Sequence, residues 1–131
     1  MGEILEKHAP YSLIDGIVPL PLYRKREKER GYNQSALLAE GISEVMSVPV
    51  IRGLLVRTGN TNTQTKKNRQ QRWENVKNAF CMAGDPDLGI RRILLVDDVV
   101  TTGATLEAAA SVLLRETGFR ICISTLAYAH R

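Results

Sequence analysis

Two adjacent carboxylates, Asp97 and Asp98, are followed by Val99, Val100 and then Thr101, Thr102, Gly103, Ala104 and Thr105. Neighbouring acids at the end of an apolar run repel each other and lose solvation. A fold tolerates them where hydroxyls or a cation occupy the site. The TTGAT stretch makes a tight turn into a helical pattern. The first backbone amides of a helix, with the positive end of its dipole, favour a phosphate. Three threonine hydroxyls add donors, and Gly103 permits close approach of the backbone. Acids suited to sugar hydroxyls beside amides suited to a phosphate describe a site for a ribose 5-phosphate. A lone Asp-Asp pair would read as an ordinary strand end; the thirteen-residue string ILLVDDVVTTGAT, residues 93–105, is far more specific.

The flanking patterns must position these groups. RRILLVDD, residues 91–98, reads as a buried strand of a parallel sheet, continuously apolar until the two carboxylates end it. Residues 103–118 form a helix closed by Gly118, and residues 119–129 a final strand. This strand–helix–strand unit implies a parallel sheet with right-handed crossovers, whose ligands bind at the carboxyl ends of the strands. Upstream, LIDGIVPLPL, residues 13–22, starts as a strand and is stopped by Pro19 and Pro21. Residues 32–46 have helical spacing, with Leu37, Leu38, Ile42, Val45 and Met46 on one face and Asn33 or Ser35 as the cap. VPVIRGLLV, residues 48–56, reads as a strand and residues 75–83 as a short one; residues 84–89 read as a turn. Almost nothing apolar lies in residues 57–72, which read as a loop with a short helical turn near its end.

A length of 131 residues fits one domain, 1–131. With 44% hydrophobic and 24% charged residues the chain buries a core, an aliphatic one because aromatics are only 5%. No apolar run approaches a membrane span, and the N-terminus lacks the apolar stretch of a secretory signal. Cys81 and Cys122 are too few for a disulfide framework or a zinc ribbon within this chain; they read as reduced core thiols, and the chain as cytoplasmic. Positive charge is concentrated. Residues 23–30 carry net +3 and residues 57–77 net +5, leaving about −4 on the rest of a chain whose total is +4. Such segments suit solvated loops, phosphate sites or nucleic-acid patches.

All thirteen positions of residues 93–105 fit the signature of type I phosphoribosyltransferases, and the string resembles that family. The resemblance implies an α/β fold, a parallel sheet flanked by helices, and phosphoribosyl pyrophosphate as ligand. Asp97 and Asp98 would hold the ribose 2- and 3-hydroxyls, directly or through Mg2+, and residues 101–105 would cradle the 5-phosphate. Some members have an acid at the position of Thr101 that serves as a base toward a purine; the threonine here argues against that subtype.

A narrower resemblance covers most of the chain. Val18-Pro19-Leu20-Pro21, a basic stretch, and Arg30-Gly31-Tyr32-Asn33-Gln34 are similar to the opening of the ComF family, phosphoribosyltransferase-like proteins linked to competence and DNA uptake. Arg57, Gln64, Arg72, Asn75 and Ala79-Phe80 continue its pattern. Typical members also carry an N-terminal zinc ribbon, which is lacking here, so the chain reads as a short member or an excised catalytic-type domain. The resemblance implies that the turn from Pro19 and Leu20 to Leu22 binds pyrophosphate through backbone amides, with Arg24, Lys25 and Arg26 adding charge. Residues 58–72 correspond to the loop that closes over pyrophosphate, and Arg57, Lys66, Lys67, Arg69 and Arg72 are the available cations. The basic stretch equally suits a solvated helix start, and Arg72 with Asn75 a helix-end brace.

Three functions follow. The first is transfer of phosphoribose to an unidentified acceptor, with Asp97, Asp98, Lys67 and Arg57 as the catalytic set. The second is a non-catalytic regulator that binds phosphoribosyl pyrophosphate or a nucleotide. The third is handling of single-stranded DNA through the two basic segments, which lack the interleaved aromatics such binders use. Direct nucleic-acid contact is therefore not favoured. The expected partners are phosphoribosyl pyrophosphate or another ribose 5-phosphate ligand, proteins of the DNA-uptake machinery and a second copy in a homodimer, without membrane insertion.

Overall fold

The computed structural model describes residues 2, 13–22, 31–58, 79–84, 89–100 and 102–129. At its centre lies a parallel sheet in the order β1-β4-β5, formed by β1 (Gly16–Pro19), β4 (Arg92–Val100) and β5 (Arg120–Tyr128). Val50 extends it through a single parallel bridge to Ile17, on the far side of β1 from β4. Helix α1 (Gln34–Met46) connects β1 to that bridge, and α2 (Ala104–Glu116) connects β4 to β5. A two-stranded antiparallel sheet of β2 (Leu55–Arg57) and β3 (Phe80–Met82) completes the described elements. The α/β fold expected from the sequence is present.

The run Ile93, Leu94, Leu95 and Val96 is fully buried because both faces of β4 are covered. Alternation along the strand sorts it. Ile93 and Leu95 pack with Ala109, Val112 and Leu113 of α2, and with Leu55 of β2 and Phe80 of β3. Leu94 and Val96 pack with Ile17 of β1 and with Ala39 and Ile42 of α1. Each such side chain contributes about 1.5–3 kcal/mol by leaving water. At the amino end of the sheet the Asp15 carboxylate accepts the backbone amides of Arg91 and Arg92, at 3.0 and 2.8 Å, and helps hold β1 in register with β4.

Several expectations are corrected. Strand β4 does not end at the acids: Asp97 pairs with Thr125, Val99 with Ala127 and Val100 with Tyr128. Residues 48–56 are not one strand, because Gly53 takes a positive φ of 76° and the chain leaves the Val50 bridge to join the second sheet. The inward face of α1 is Ser35, Ala39 and Ile42, with Leu38 and Met46 packed beside it; Leu37 and Val45 are exposed. Cys81 faces outward on the short β3 and is exposed, and Cys122 is half-buried. Helix α2 stops before Gly118, where Thr117 turns to an extended φ of −138° and its hydroxyl donates to the Leu113 carbonyl.

Candidate functional site

The carboxyl ends of β1 and β4 lie side by side, and three short segments converge there. The first is the end of β4. Asp97 is half-buried, and its Oδ1 accepts both the Asp98 amide at 2.9 Å and the Ser35 hydroxyl at 3.2 Å. Burial pushes the Asp97 carboxyl up to about 6, and the adjacent Asp98 carboxyl pushes the same way. The Asp98 carboxylate in turn accepts the Val99 amide at 2.9 Å.

The second is the turn into α2. Gly103 is the N-cap with φ 81°, a conformation that L side chains rarely adopt. The Thr102 hydroxyl accepts the Ala104 amide at 3.3 Å. Asp97, Thr102, Gly103, Ala104 and Thr105 line one shallow, open cleft. The first-turn amides of a helix have no partner within it, so this cleft unites a carboxylate with amide and hydroxyl donors. Thr101 lies outside the described residues.

The third is the turn after β1. The Leu20 side chain is buried, and its amide donates to the Val96 carbonyl at 2.8 Å. Pro19 and Pro21 have no amide, so an amide role for residues 19–22 falls to Leu22. Pro19 and Pro21 line a second cleft with Asn33, Ile51, Arg52 and Gly53. Asn33 is the N-cap of α1, its Oδ1 accepting the Ser35 and Ala36 amides, and its Nδ2 donates to the Leu20 carbonyl at 3.3 Å.

Of the expected cations, Arg57 ends β2 with its guanidinium 5.3 Å from the centre of the Phe80 ring, a cation–π contact. Arg24, Lys25, Arg26, Lys66, Lys67, Arg69 and Arg72 lie outside the described residues, as do all but the first residue of the loop expected over residues 58–72. Glu107 sits exposed in the first turn of α2, and Trp73, His8 and His130 are outside the described residues. Ser35 joins the site, beyond its expected place as a candidate helix cap. Its signal was present, because Ser35, Ala39 and Ile42 share the i, i+4, i+7 spacing of the buried stripe, where a hydroxyl needs a partner.

Among the described residues no group of three or more His, Cys, Asp or Glu side chains could hold a metal ion. The oxygen donors of Asp97 and Asp98 fit a hard cation that completes its shell with ligand oxygens, the usual habit of magnesium. No helix of the described residues is long and apolar enough to cross a membrane.

Known proteins resemble this chain in sequence and in fold. The chain is 41% identical over 81% of its length to competence protein F of Haemophilus influenzae. It is 39% identical over 79% to the DNA utilization protein YhgH of Escherichia coli, and 39% over 76% to competence protein ComFC of Bacillus subtilis. The matches span only 46%, 44% and 38% of those relatives, so the chain corresponds to less than half of each. The ComF resemblance drawn from the motifs holds. Two solved structures share the fold. A purine phosphoribosyltransferase from Pyrococcus horikoshii superimposes with a TM-score of 0.57 at 16% identity, over 98% of this chain and 78% of that one. A glutamine phosphoribosylpyrophosphate amidotransferase from B. subtilis gives 0.56 at 15% identity, over 95% of this chain and 25% of that one. The family model described as the phosphoribosyl transferase domain matches residues 33–131, and the chain belongs to that family.

Proposed function

We propose that the chain binds phosphoribosyl pyrophosphate with magnesium at the carboxyl ends of β1 and β4 and transfers its phosphoribosyl group to an acceptor nucleophile. The observation that carries this reading is the cleft lined by both Asp97 and the first turn of α2. The two features lie as far apart in sequence as one short turn and serve opposite ends of a phosphorylated ribose.

In this reading the 5-phosphate sits against residues 101–105, and the acid pair receives the 2- and 3-hydroxyls. The bond from C1 to pyrophosphate breaks with its electron pair leaving on pyrophosphate. The lone pair of a nucleophile, typically nitrogen, then forms the new bond at C1, and the proton on that atom is released. The protein supplies position and charge. Leu22 offers an amide and Arg57 and Lys67 offer cations to the leaving group. Magnesium, held by Asp97 or Asp98 and chiefly by ligand oxygens, would neutralise charge on the pyrophosphate. The two free thiols suit a reducing compartment, the cytoplasm. The names of the relatives support a role in competence or DNA use.

Calorimetric titration with phosphoribosyl pyrophosphate, with and without magnesium, tests the reading. Magnesium-dependent binding that weakens at least tenfold in Asp97→Asn and Asp98→Asn supports it. Absence of binding by a well-folded sample overturns it. Pyrophosphate release across a panel of nitrogen nucleophiles then separates transfer from binding alone.

A further inference from the structure

Ser35 is only 4% exposed, on a helix face otherwise lined by Ala39 and Ile42 against Leu94 and Val96. A hydroxyl buried there is unfavourable unless it is bonded. Its bond goes to Asp97 Oδ1 at 3.2 Å, across 62 residues of sequence and from α1 to β4. The Asp98 amide reaches the same oxygen. Two donors on one oxygen fix the rotation of the carboxylate about its χ angles. Two residues earlier on the same helix end, Asn33 holds the Leu20 carbonyl. The first turn of α1 thus grips both the turn after β1 and the acid of β4.

We propose that Ser35 is a positioning residue: its buried hydroxyl holds Asp97 in the orientation that takes the ligand hydroxyls. The inference rests on the proposed role of Asp97 in binding phosphoribosyl pyrophosphate. Ser35 is too deeply buried to touch the ligand itself, so it acts through the carboxylate.

A purely packing role and a positioning role predict opposite orders for two substitutions. If Ser35 only fills space, Ser35→Ala is tolerated and Ser35→Thr, which adds a methyl group to a full interior, is the worse variant. If the hydroxyl orients Asp97, Ser35→Ala weakens magnesium-dependent binding of phosphoribosyl pyrophosphate roughly tenfold, the scale of a lost hydrogen bond to a charged group. Ser35→Thr then retains most of the affinity. Calorimetry on the full chain reads the affinity, and the thermal midpoint of each variant reads the fold. Should Ser35→Thr fail to fold, Ser35→Cys, of similar shape with a weak donor, takes its place and falls between wild type and Ser35→Ala. Wild-type affinity in a folded Ser35→Ala variant overturns the inference while leaving the proposed function standing. Absence of binding by the wild-type chain overturns both.

Discussion

The side-chain amide of Asn33 donates to the Leu20 carbonyl at 3.3 Å while its oxygen accepts the Ser35 and Ala36 amides. One residue therefore caps α1 and fastens the turn that follows β1. Asn33→Ala removes both functions and is expected to lower stability by about 1–2 kcal/mol. Asn33→Asp keeps the cap and deletes the donor, so it should lose less. Urea unfolding of the two variants separates the link to Leu20 from the cap: equal losses would show that the cap contributes nothing, and an unchanged Asn33→Asp variant that the link contributes nothing.

Asp97 should give a pH signature of its own. Its folded-state pKa is raised from 3.8 to about 6, chiefly by burial and then by Asp98. The folded chain keeps a proton that the unfolded chain releases between those values. The stability this group contributes is complete below about 4 and is lost as pH rises through about 6. Asp97→Asn abolishes that loss. Thermal midpoints followed from pH 4 to 7 should show the variant gaining on the wild type as pH rises, and ending the more stable of the two at pH 7. A constant difference across that range would contradict the assignment.

Gly103 has open space around the position of a Cβ, so substitution there tests backbone conformation alone. Gly103→Ala is expected to cost about 1–2 kcal/mol, because φ 81° is strained for alanine. Gly103→Asn should cost less, since asparagine tolerates positive φ better. Chemical denaturation of both variants checks the order.

Gly16 is a packing case instead. A Cβ there would stand 2.6 Å from Ile51 Cδ1 and 3.2 Å from Ile90 Cδ1. Gly16→Ala should destabilise by about 1 kcal/mol, the low end of overpacking, because the atoms it meets are the ends of half-buried isoleucine side chains that can turn aside. Ile51→Val removes the nearest methyl group, so adding it to Gly16→Ala should recover part of the loss rather than deepen it. The recovery is read as non-additivity in a double-mutant cycle.

The reach of sequence reasoning follows the range of the forces involved. The run from Ile93 to Val96 and the helix that follows were legible because local pattern and burial agree there. Val99 and Val100 continue the strand only because β5 offers Ala127 and Tyr128 as partners, a tertiary fact. The break at Gly53 was hidden for the same reason, since residues 48–56 have strand composition throughout but divide between two sheets. The largest apolar residues of α1 do not mark its inward face. The close approach to β1 and β4 selects the small Ser35 and Ala39 and leaves Leu37 outside. Among site residues, the cleft of Asp97 and residues 102–105 is legible as one contiguous string, whereas Ser35 belongs to the site only through a contact between α1 and β4.

The joints that assemble the site share one property. Asp15 meets Arg92 across 77 positions, Ser35 meets Asp97 across 62, and the Leu20 amide meets the Val96 carbonyl. None forms while the helices alone have formed. Contacts of such sequence separation carry a large loop-closure cost and require the parallel pairing of the sheet. Recognition of a ligand at this cleft would then depend on the paired sheet, and a form of the chain with only its helices in place would lack it.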